Sequence, residues 1–533
     1  MSVSEDPKSV IIESGKRLSA SSLWSLQRRF FDVVGVSAWQ DEVVPSFVTS
    51  NAAIAQVYAE IIFRFLLDVG RPIRIVELGA GSGQFGFHCL RALEVLREKW
   101  PGESPSATWI MTDFTEQNLQ YWREHAALRP LMAAGVLDVA RFDAESDTEM
   151  RLQIADVQWA DAEGPVVVIA NYVFDGLIQD VFRIQEGRLE EGRPVLLTDA
   201  VDLSDPELIS HITVQYQYGP PPEPPYADPL RCQILADYQS KLGDAAFGIP
   251  IGALDALDSL SALSDGPLLL LAADKGYSHA HQLLDEGGLE PASHGSVSFM
   301  VNFDAVGRYI RERGGFSWHT SARAGSLEFM MGMLSGTPQS IPRTVLEFDR
   351  SLERFSPIDF CELKQAIEDA EQPSLSACLA LLRLSCWDPE TFYGLHEALI
   401  SAADAADEAE LGFLRRALTC VWDNFYTLRQ DQDIAFAIAR VRYQIDDHQQ
   451  ALDLYRASLQ LHGDDVATHH NIGLCLYHLG SLEAALECFS HALVLDPDYA
   501  RSQDWHRQVS AALDGTEQDP GRDCERVPAG GVR

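Results

Sequence analysis

The residues best suited to chemistry lie around one glycine-rich turn. Glu77 ends an apolar run rich in β-branched residues, and Gly79, Gly81 and Gly83 follow at alternate positions. Such a run is typical of a buried strand, and the glycines let the backbone pass close to a ligand without a Cβ in the way. A segment with helical character, 85–100, comes next. A strand, a glycine turn and a helix in this order form a nucleotide-binding corner.

The acidic residues that follow the turn bear on the class of nucleotide. The dinucleotide pattern G-x-G-x-x-G also fits residues 81–86, but it requires an acid at the end of the next strand, about 20 residues on. Glu103 stands near that distance, in a segment with Pro and Gly rather than at a strand end. The acid that ends the predicted strand 108–112 is Asp113. A lone match of the dinucleotide pattern is therefore weak evidence for NAD.

The acid-x-Gly-x-Gly-x-Gly form, with an acid after the second strand, resembles the class I S-adenosylmethionine-dependent methyltransferases. The resemblance implies that Gly79, Gly81 and Gly83 approach the methionine part of S-adenosylmethionine. It also implies that Glu77 fixes the turn and holds the amino group of the cofactor.

The same resemblance assigns the acids after the second and third strands. Asp113 would accept hydrogen bonds from the ribose hydroxyls. Phe142 and Asp143, which follow a third predicted strand, would contact adenine, with Asp143 accepting from its amino group. The alternative for both aspartates is a turn or helix-cap acid.

A closer resemblance rests on the segment after the fourth strand. Asn-Tyr-Val-Phe-Asp-Gly-Leu at 171–177 is similar to a motif of the MidA-like methyltransferases, a family that includes the mitochondrial complex I assembly methyltransferase. The stretches 47–50 and 298–307, with two glycines at 314–315, resemble two further segments of that family. The resemblance covers about residues 45–320.

The family methylates a protein arginine, and two departures bear on that substrate. The family glutamate after Asn171 is Tyr172 here, and its proline is Ile178. A carboxylate at this place would hold a guanidinium by paired hydrogen bonds, so its loss weakens the inference to arginine. The resemblance still implies that Asn171 is a polar clamp and that Asp175 orients a substrate amine or takes its proton. For Asp175 the alternative is a helix N-cap.

The chain is long enough for two or three domains. We expect a helical lead-in at 1–72 and an α/β Rossmann-like methyltransferase domain with a mostly parallel sheet at 73–340, interrupted at about 185–265. The alternation of predicted strands and helices favours that sheet. An all-α tetratricopeptide-like domain at 345–513 and a disordered tail at 514–533 follow.

The helical region carries an internal repeat of 34 residues. Its second copy, which ends near Pro497, matches the tetratricopeptide pattern well, although the usual early aromatic is His469. Positions that repeat at this interval pair as Ile438 with Ile472, Ala439 with Gly473, Ala451 with Ala485, Tyr455 with Phe489 and Ser458 with Ala492. Such repeats present grooves to a protein or peptide, and they also allow self-association as a homodimer.

Composition limits the classes of partner and compartment. The formal net charge of −38 argues against nucleic acid and against an anionic membrane surface. The nine scattered cysteines form no Cys-x-x-Cys pair, which is typical of reduced thiols in a cytoplasmic protein. His279 and His281 have a spacing that suits a metal, but no further cluster completes it, so we predict a surface loop and no metal.

These observations favour an S-adenosylmethionine-dependent methyltransferase that acts on a protein or peptide side chain. Two alternatives remain open at this stage. One is a non-catalytic adaptor or assembly factor that keeps the methyltransferase fold. The other is a small-molecule methyltransferase with the proline-rich segment 220–225 as a lid.

Overall fold

The computed structural model divides the chain into two compact units, Met1–Ile358 and Asp359–Arg533. The residues that it describes are 10–40, 50–200, 202, 205–284, 289–293, 296–320, 327–353, 357–428 and 431–514. All but the first residue of the predicted tail at 514–533, and most of the family-like stretch at 47–50, lie outside these residues.

The first unit combines strands with helices. Its strands are β1 Val10–Glu13, β2 Ile73–Glu77, β3 Ala107–Asp113, β4 Leu137–Arg141, β5 Met150–Leu152, β6 Val157–Trp159, β7 Val166–Asn171, β8 Asp180–Gln185, β9 Arg188–Thr198, β10 Ile212–Gly219, β11 Ala245–Ile249, β12 Leu268–Tyr277, β13 Ala292–Ser293, β14 Val297–Ser298, β15 Val301–Asn302, β16 Phe316–His319 and β17 Leu327–Leu334. Its α-helices are α1 Leu23–Val34, α2 Ser37–Gln40, α3 Ala52–Val69, α4 Gln84–Lys99, α5 Glu116–Glu124, α6 Arg129–Ala133, α7 Pro229–Lys241, α8 Ile251–Ala262, α9 Phe303–Glu312 and α10 Pro342–Phe348.

The larger sheet contains the five strands that apolar runs predict, at 73–78, 108–112, 139–142, 166–170 and 268–272. Its order is β16-β17-β12-β7-β2-β3-β4, and β15 pairs with the end of β12. The pairs from β12 to β4 are parallel, whereas β17 is antiparallel to both β12 and β16. The chain runs from β2 outward to β4 and then returns to β7 on the other side of β2, so the strand order reverses between β2 and β7.

A second sheet, most of which lies in the predicted interruption at about 185–265, adds antiparallel strands. Its order is β1-β9-β8-β11, β10 also pairs with β9, and every pairing in it is antiparallel. The unit is therefore built on mixed sheets. Strand β1 pairs Ile11 with Leu197, so the expected helical lead-in also contributes a strand. The proline run at 220–225 is a loop between β10 and α7.

Local chemistry explains how the elements around the glycine turn form. Strands β2 and β7 are buried along almost their whole length, as their apolar runs require. Helix α3 begins after Asn51, whose side chain accepts a hydrogen bond from the Ile54 amide at 3.0 Å. Asn51 is thus the N-cap, because its side chain reaches the N3 amide of the helix.

The second unit is helical throughout its described residues. Its helices are α11 Pro357–Glu368, which spans the division between units, α12 Leu375–Leu384, α13 Pro389–Ala403, α14 Glu408–Asp423, α15 Ile434–Gln444, α16 His448–His462, α17 Val466–His478, α18 Leu482–Leu495 and α19 Ala500–Leu513. The interval of 34 residues is retained, since α16 begins at His448 and α18 at Leu482. A Cβ at Gly473 would lie 2.6 Å from the ring of Phe489, so α17 and α18 approach closely at the small residue that the repeat predicts.

Two global properties bear on the sequence predictions. No described helix is long and apolar enough to cross a membrane. No disulfide joins the eight cysteines within the described residues, and Cys89, Cys378 and Cys475 are buried.

Candidate active site

One cavity opens where the strand order of the larger sheet reverses. It contains about 1310 Å³ of empty space, including the part that is open to solvent. Segments that follow β2, β3, β4 and β7 line it, together with α1, α2 and the end of β12. This is the position at which open parallel sheets bind ligands.

The glycine turn after β2 forms part of the cavity wall. Gly79, Gly81 and Gly83 have φ values of 55°, 54° and 77°, which a residue with a side chain rarely adopts. The Ala80 amide donates to the Thr112 carbonyl at 3.0 Å and ties the turn to β3. Of the three glycines, only Gly79 lines the cavity, whereas the side chain of Trp39 packs against Gly81.

Glu77 lies beneath the turn rather than in the cavity. Its side chain is buried, and one carboxyl oxygen accepts a hydrogen bond from the Trp109 indole at 2.7 Å. Burial raises the pKa of Glu77 to about 8, against the opposing effect of that hydrogen bond. The arrangement suits a residue that fixes the turn; direct contact of Glu77 with a ligand stays a prediction.

Asp113 at the end of β3 does line the cavity. One of its oxygens accepts from the amide and hydroxyl of Thr115, at 2.8 and 2.9 Å, and the other accepts from the Asn118 amide at 2.8 Å. Burial raises the pKa of Asp113 above its usual range, and these donors oppose the rise. Each carboxylate oxygen offers two lone pairs, so Asp113 retains capacity to accept from a ligand.

Phe142 and Asp143 line the cavity after β4, and Asp143 forms an ion pair with an arginine side chain. The Arg28 guanidinium donates to both Asp143 oxygens at 2.7 Å and to Glu145 at 2.6 Å. It also lies over the ring of Phe114 at 5.2 Å. Partial burial raises the pKa of Asp143, but the bonds from Arg28 outweigh this and bring it below its usual range.

Asn171 and Tyr172 at the end of β7 face different surroundings. The Asn171 side-chain oxygen accepts from the Tyr58 hydroxyl at 2.8 Å, and its amide nitrogen is buried without a hydrogen-bond partner. Asn171 is not among the cavity-lining residues, whereas Tyr172 is. Tyr172 has a φ of 53°, a strained value for a non-glycine residue of the kind that clusters at functional sites.

Asp175 lines the cavity and lies next to a second carboxyl group. The fully buried Asp274 accepts from the backbone amides of Val173, Phe174 and Asp175, at 3.1, 3.0 and 3.3 Å. Burial raises the pKa of Asp175 to about 6, against the charge of Lys275. Burial, and then the charge of Asp175, hold the pKa of Asp274 well above its usual range.

Several polar residues in or beside the cavity wall are not among the sequence predictions. Arg28 and Gln27 come from α1, and Gln27 accepts a hydrogen bond from the Val297 amide at 2.8 Å, across 270 residues. Asp274 and Lys275 directly continue the predicted strand 268–272, so an acid at a strand end was a usable signal for them. Nothing in the sequence near Arg28 or Gln27 indicates a contact so distant along the chain.

The His-x-His pair lies outside the cavity lining. The rings of His279 and His281 are stacked with centroids 5.5 Å apart, and His319 lies 6.1 Å from His279. Within the described residues these histidines do not form a group of three convergent metal donors.

Comparisons with known proteins add one family match and several distant structural likenesses. Residues 466–499 match the tetratricopeptide repeat model, so the helical region contains such a repeat. Comparison with curated proteins gives no match.

Three solved structures from Burkholderia thailandensis are similar to the chain. Two are COG1565 superfamily proteins, one of them bound to S-adenosyl-homocysteine; they have TM-scores of 0.37 and 0.36, each at 15% identity, and cover 61% of this chain and 95% and 94% of their own. An O-methyltransferase family protein has a TM-score of 0.28 at 11% identity, covering 59% of this chain and 64% of its own. Since these scores are low, the case for function rests on this chain's own residues.

Proposed function

We propose that this protein is an S-adenosylmethionine-dependent methyltransferase that acts on a protein or peptide side chain. The observation that carries the proposal is the convergence of a glycine turn with Asp113, Asp143 and Asp175 on one cavity at the strand reversal. Each of these residues follows a different strand, and a binding site at such a reversal draws on several strand ends.

The residues present fit the cofactor. Gly79 supplies close backbone approach, because a Cβ there would lie 3.2 Å from Val173 and restrict the cavity wall. Asp113 has acceptor capacity for the ribose hydroxyls, and Phe142 and Asp143 would contact adenine, as the resemblance implies. Glu77, Gly81 and Gly83 would support the turn that holds the methionine part.

The bound cofactor would supply an electrophilic methyl group. The chain's own residues would position the acceptor and exclude water, since methyl transfer is mainly a matter of approach geometry and desolvation. Asp175 would accept the proton of a substrate nitrogen, because its raised pKa lies close to neutral pH. Asn171, through its bond to Tyr58, would hold the end of β7 rather than the substrate.

A cationic side chain is the substrate class that the cavity favours. Asp143 and Glu145 both pair with Arg28. Asp175, which lies beside Lys275, is therefore the acid that would face the methyl acceptor. A lysine or arginine side chain of a protein fits this acid, although Tyr172 replaces the family glutamate. The tetratricopeptide repeat would bind the protein that carries this side chain.

Calorimetric titration with S-adenosylmethionine, S-adenosylhomocysteine and NAD tests the cofactor. We expect micromolar binding of the first two, weakened at least tenfold by Asp113→Asn. Asp138→Asn is the matched control, because Asp138 is equally buried and bonds to the amides of Val139, Ile154 and Ala155, away from the cavity lining. Absence of binding, or equal weakening by both variants, would contradict the proposal.

A non-catalytic adaptor is the second candidate, and one contact favours it. Trp39 covers Gly81, with ring atoms 2.6 Å from a Cβ placed there, and so occupies space beside the glycine turn. An adaptor would bind a partner through the repeat without binding S-adenosylmethionine. Trp39→Ala distinguishes the two candidates. If the tryptophan closes over bound cofactor, the variant should bind S-adenosylmethionine more weakly than the parent protein does. An adaptor should bind no S-adenosylmethionine with or without the substitution and should retain its protein partner.

A labelled-methyl assay on protein extracts and on metabolite extracts distinguishes the small-molecule alternative.

A further inference from the structure

Three side chains with metal-binding atoms converge within the tetratricopeptide repeat region. His469 Nε2 lies 3.0 Å from one oxygen of Asp464, and His491 Nε2 lies 3.9 Å from the other. The two imidazole centroids are 4.2 Å apart, and one donor atom from each residue lies within 4.8 Å of the others. No other group of three such donors occurs in the described part of the chain.

The backbone that carries these side chains is fixed by regular structure. Asp464 stands in the link before α17, His469 lies in its first turns, and His491 is on the antiparallel neighbour α18. The adjacent Asp465 caps α17 by accepting from the amide and hydroxyl of Thr468, at 2.8 and 2.7 Å, and so holds the link in place. The three donors are therefore presented from two packed helices rather than from a long loop.

The donor set favours zinc among the common divalent ions. Two imidazole nitrogens and one carboxylate oxygen suit Zn²⁺, whereas Mg²⁺ and Ca²⁺ prefer oxygen alone. In a tetrahedral zinc site with bonds of about 2.0–2.1 Å, donor atoms stand about 3.3 Å apart. The donor atoms would have to move only slightly closer together to reach this separation. The side chains of Asp464 and His491 can rotate to do so, since they are 61% and 48% exposed.

We propose that Asp464, His469 and His491 bind one Zn²⁺ ion, with a fourth position open to water. The ion would tie the link before α17 to α18 and so stabilise the repeat. A nearby pair gives a contrast: His448 and His478 stack at 4.4 Å, and Asp446 lies 3.9 Å from His448 Nε2, but His478 Nε2 meets the Tyr443 hydroxyl, so these described residues do not form a convergent group of three donors. The proposal is independent of the methyltransferase function.

Titration of the full chain with zinc sulfate, and separately with Co²⁺, tests the site. We expect one equivalent to bind, with visible Co²⁺ absorption of a four-coordinate site that includes nitrogen donors, and a rise in the melting temperature of the helical unit. His491→Ala and Asp464→Ala should each weaken binding at least tenfold and abolish the rise, whereas His478→Ala, on the same helix as His469, should leave both unchanged.

Both variant positions are partly exposed, so far-ultraviolet circular dichroism should show unaltered helix content without metal. Absence of one-to-one binding would overturn the proposal. Binding that His491→Ala and Asp464→Ala leave intact would overturn it as well, because the ion would then sit on other histidines or on cysteines.

Discussion

Glu77 shows how burial at a strand end makes folding depend on pH. Its pKa of about 8 lies above the ordinary value of 4.5, so the folded state takes up a proton that the unfolded state lacks at neutral pH. Because folding raises the pKa of this acid, its contribution to the free energy of unfolding is fully present below about pH 4.5. That contribution is lost as the pH rises through 8.

Glu77→Gln removes this dependence while keeping an oxygen for the Trp109 indole. We expect the free energy of unfolding to rise by roughly 2–4 kcal/mol at pH 8, with little change at pH 4.5. Chemical denaturation at the two pH values measures it. Glu94→Gln, at an exposed position on α4, is the control and should alter neither value. A gain that is the same at both pH values would contradict the assignment.

Asp274 gives a second prediction at this scale, which depends on hydrogen bonds rather than charge. Asp274→Ala leaves three backbone amides without their acceptor and should lower the free energy of unfolding by about 2–3 kcal/mol. Asp274→Asn retains an acceptor oxygen and should remain within about 1 kcal/mol of the parent. Thermal unfolding of both variants measures this. If both variants lost the same free energy of unfolding, the size of the side chain rather than its acceptor oxygen would matter at this position.

The site residues divide according to how far along the chain their partners lie. Asp113 and Asp143 were predictable, because each directly follows an apolar run and strand ends meet at one edge of a parallel sheet, whereas Asp175 was named from the family-like motif at 171–177. Arg28 was not predictable, since its partner is 115 residues away. No local pattern encodes a contact of that range.

At the scale of elements, apolar runs were sufficient for β2, β3, β4, β7 and β12 of the larger sheet but not for its remaining strands or for the antiparallel sheet. Strand β1 is short and largely exposed, and it owes its conformation to pairing with β9 rather than to its own pattern. The three proposed zinc ligands could not be predicted from the sequence for a similar reason. Two histidines and an aspartate on neighbouring helices become a set only when the helices pack.

The repeat allows a prediction about helix packing. Gly473→Ala should lower the free energy of unfolding by about 1–2 kcal/mol, because its new methyl would meet the Phe489 ring and the cost of overpacking exceeds the gain in helix propensity. Gly412→Ala, in α14, is the matched control, since its nearest atom is the end of Arg416 at 3.9 Å. That change should raise the free energy of unfolding by about 0.5–1 kcal/mol. Denaturant unfolding compares the two, and stabilisation by both would contradict close packing at Gly473.

At the scale of the whole molecule, two units with separate ligands should unfold as separate transitions. A ligand stabilises the unit that binds it by about 2.7 kcal/mol at 100 times its dissociation constant. S-adenosylhomocysteine should therefore raise the transition of the first unit, and Zn²⁺ that of the second. Differential scanning calorimetry, with hydrogen exchange to assign each transition, measures this. A single transition that both ligands raise together would show that the units unfold cooperatively.

The hydrogen bond between Gln27 and Val297 also constrains the order of events during synthesis. A ribosome adds about 5–20 residues per second, so the 270 residues between them take on the order of 10–60 s to emerge. Until then Gln27 lacks this partner and Trp24 lacks Phe299, whose ring centroid lies 5.5 Å away, although other residues of the same core, such as Leu196, emerge earlier. The wall of the cavity at α1 is therefore completed only late in the synthesis of the first unit.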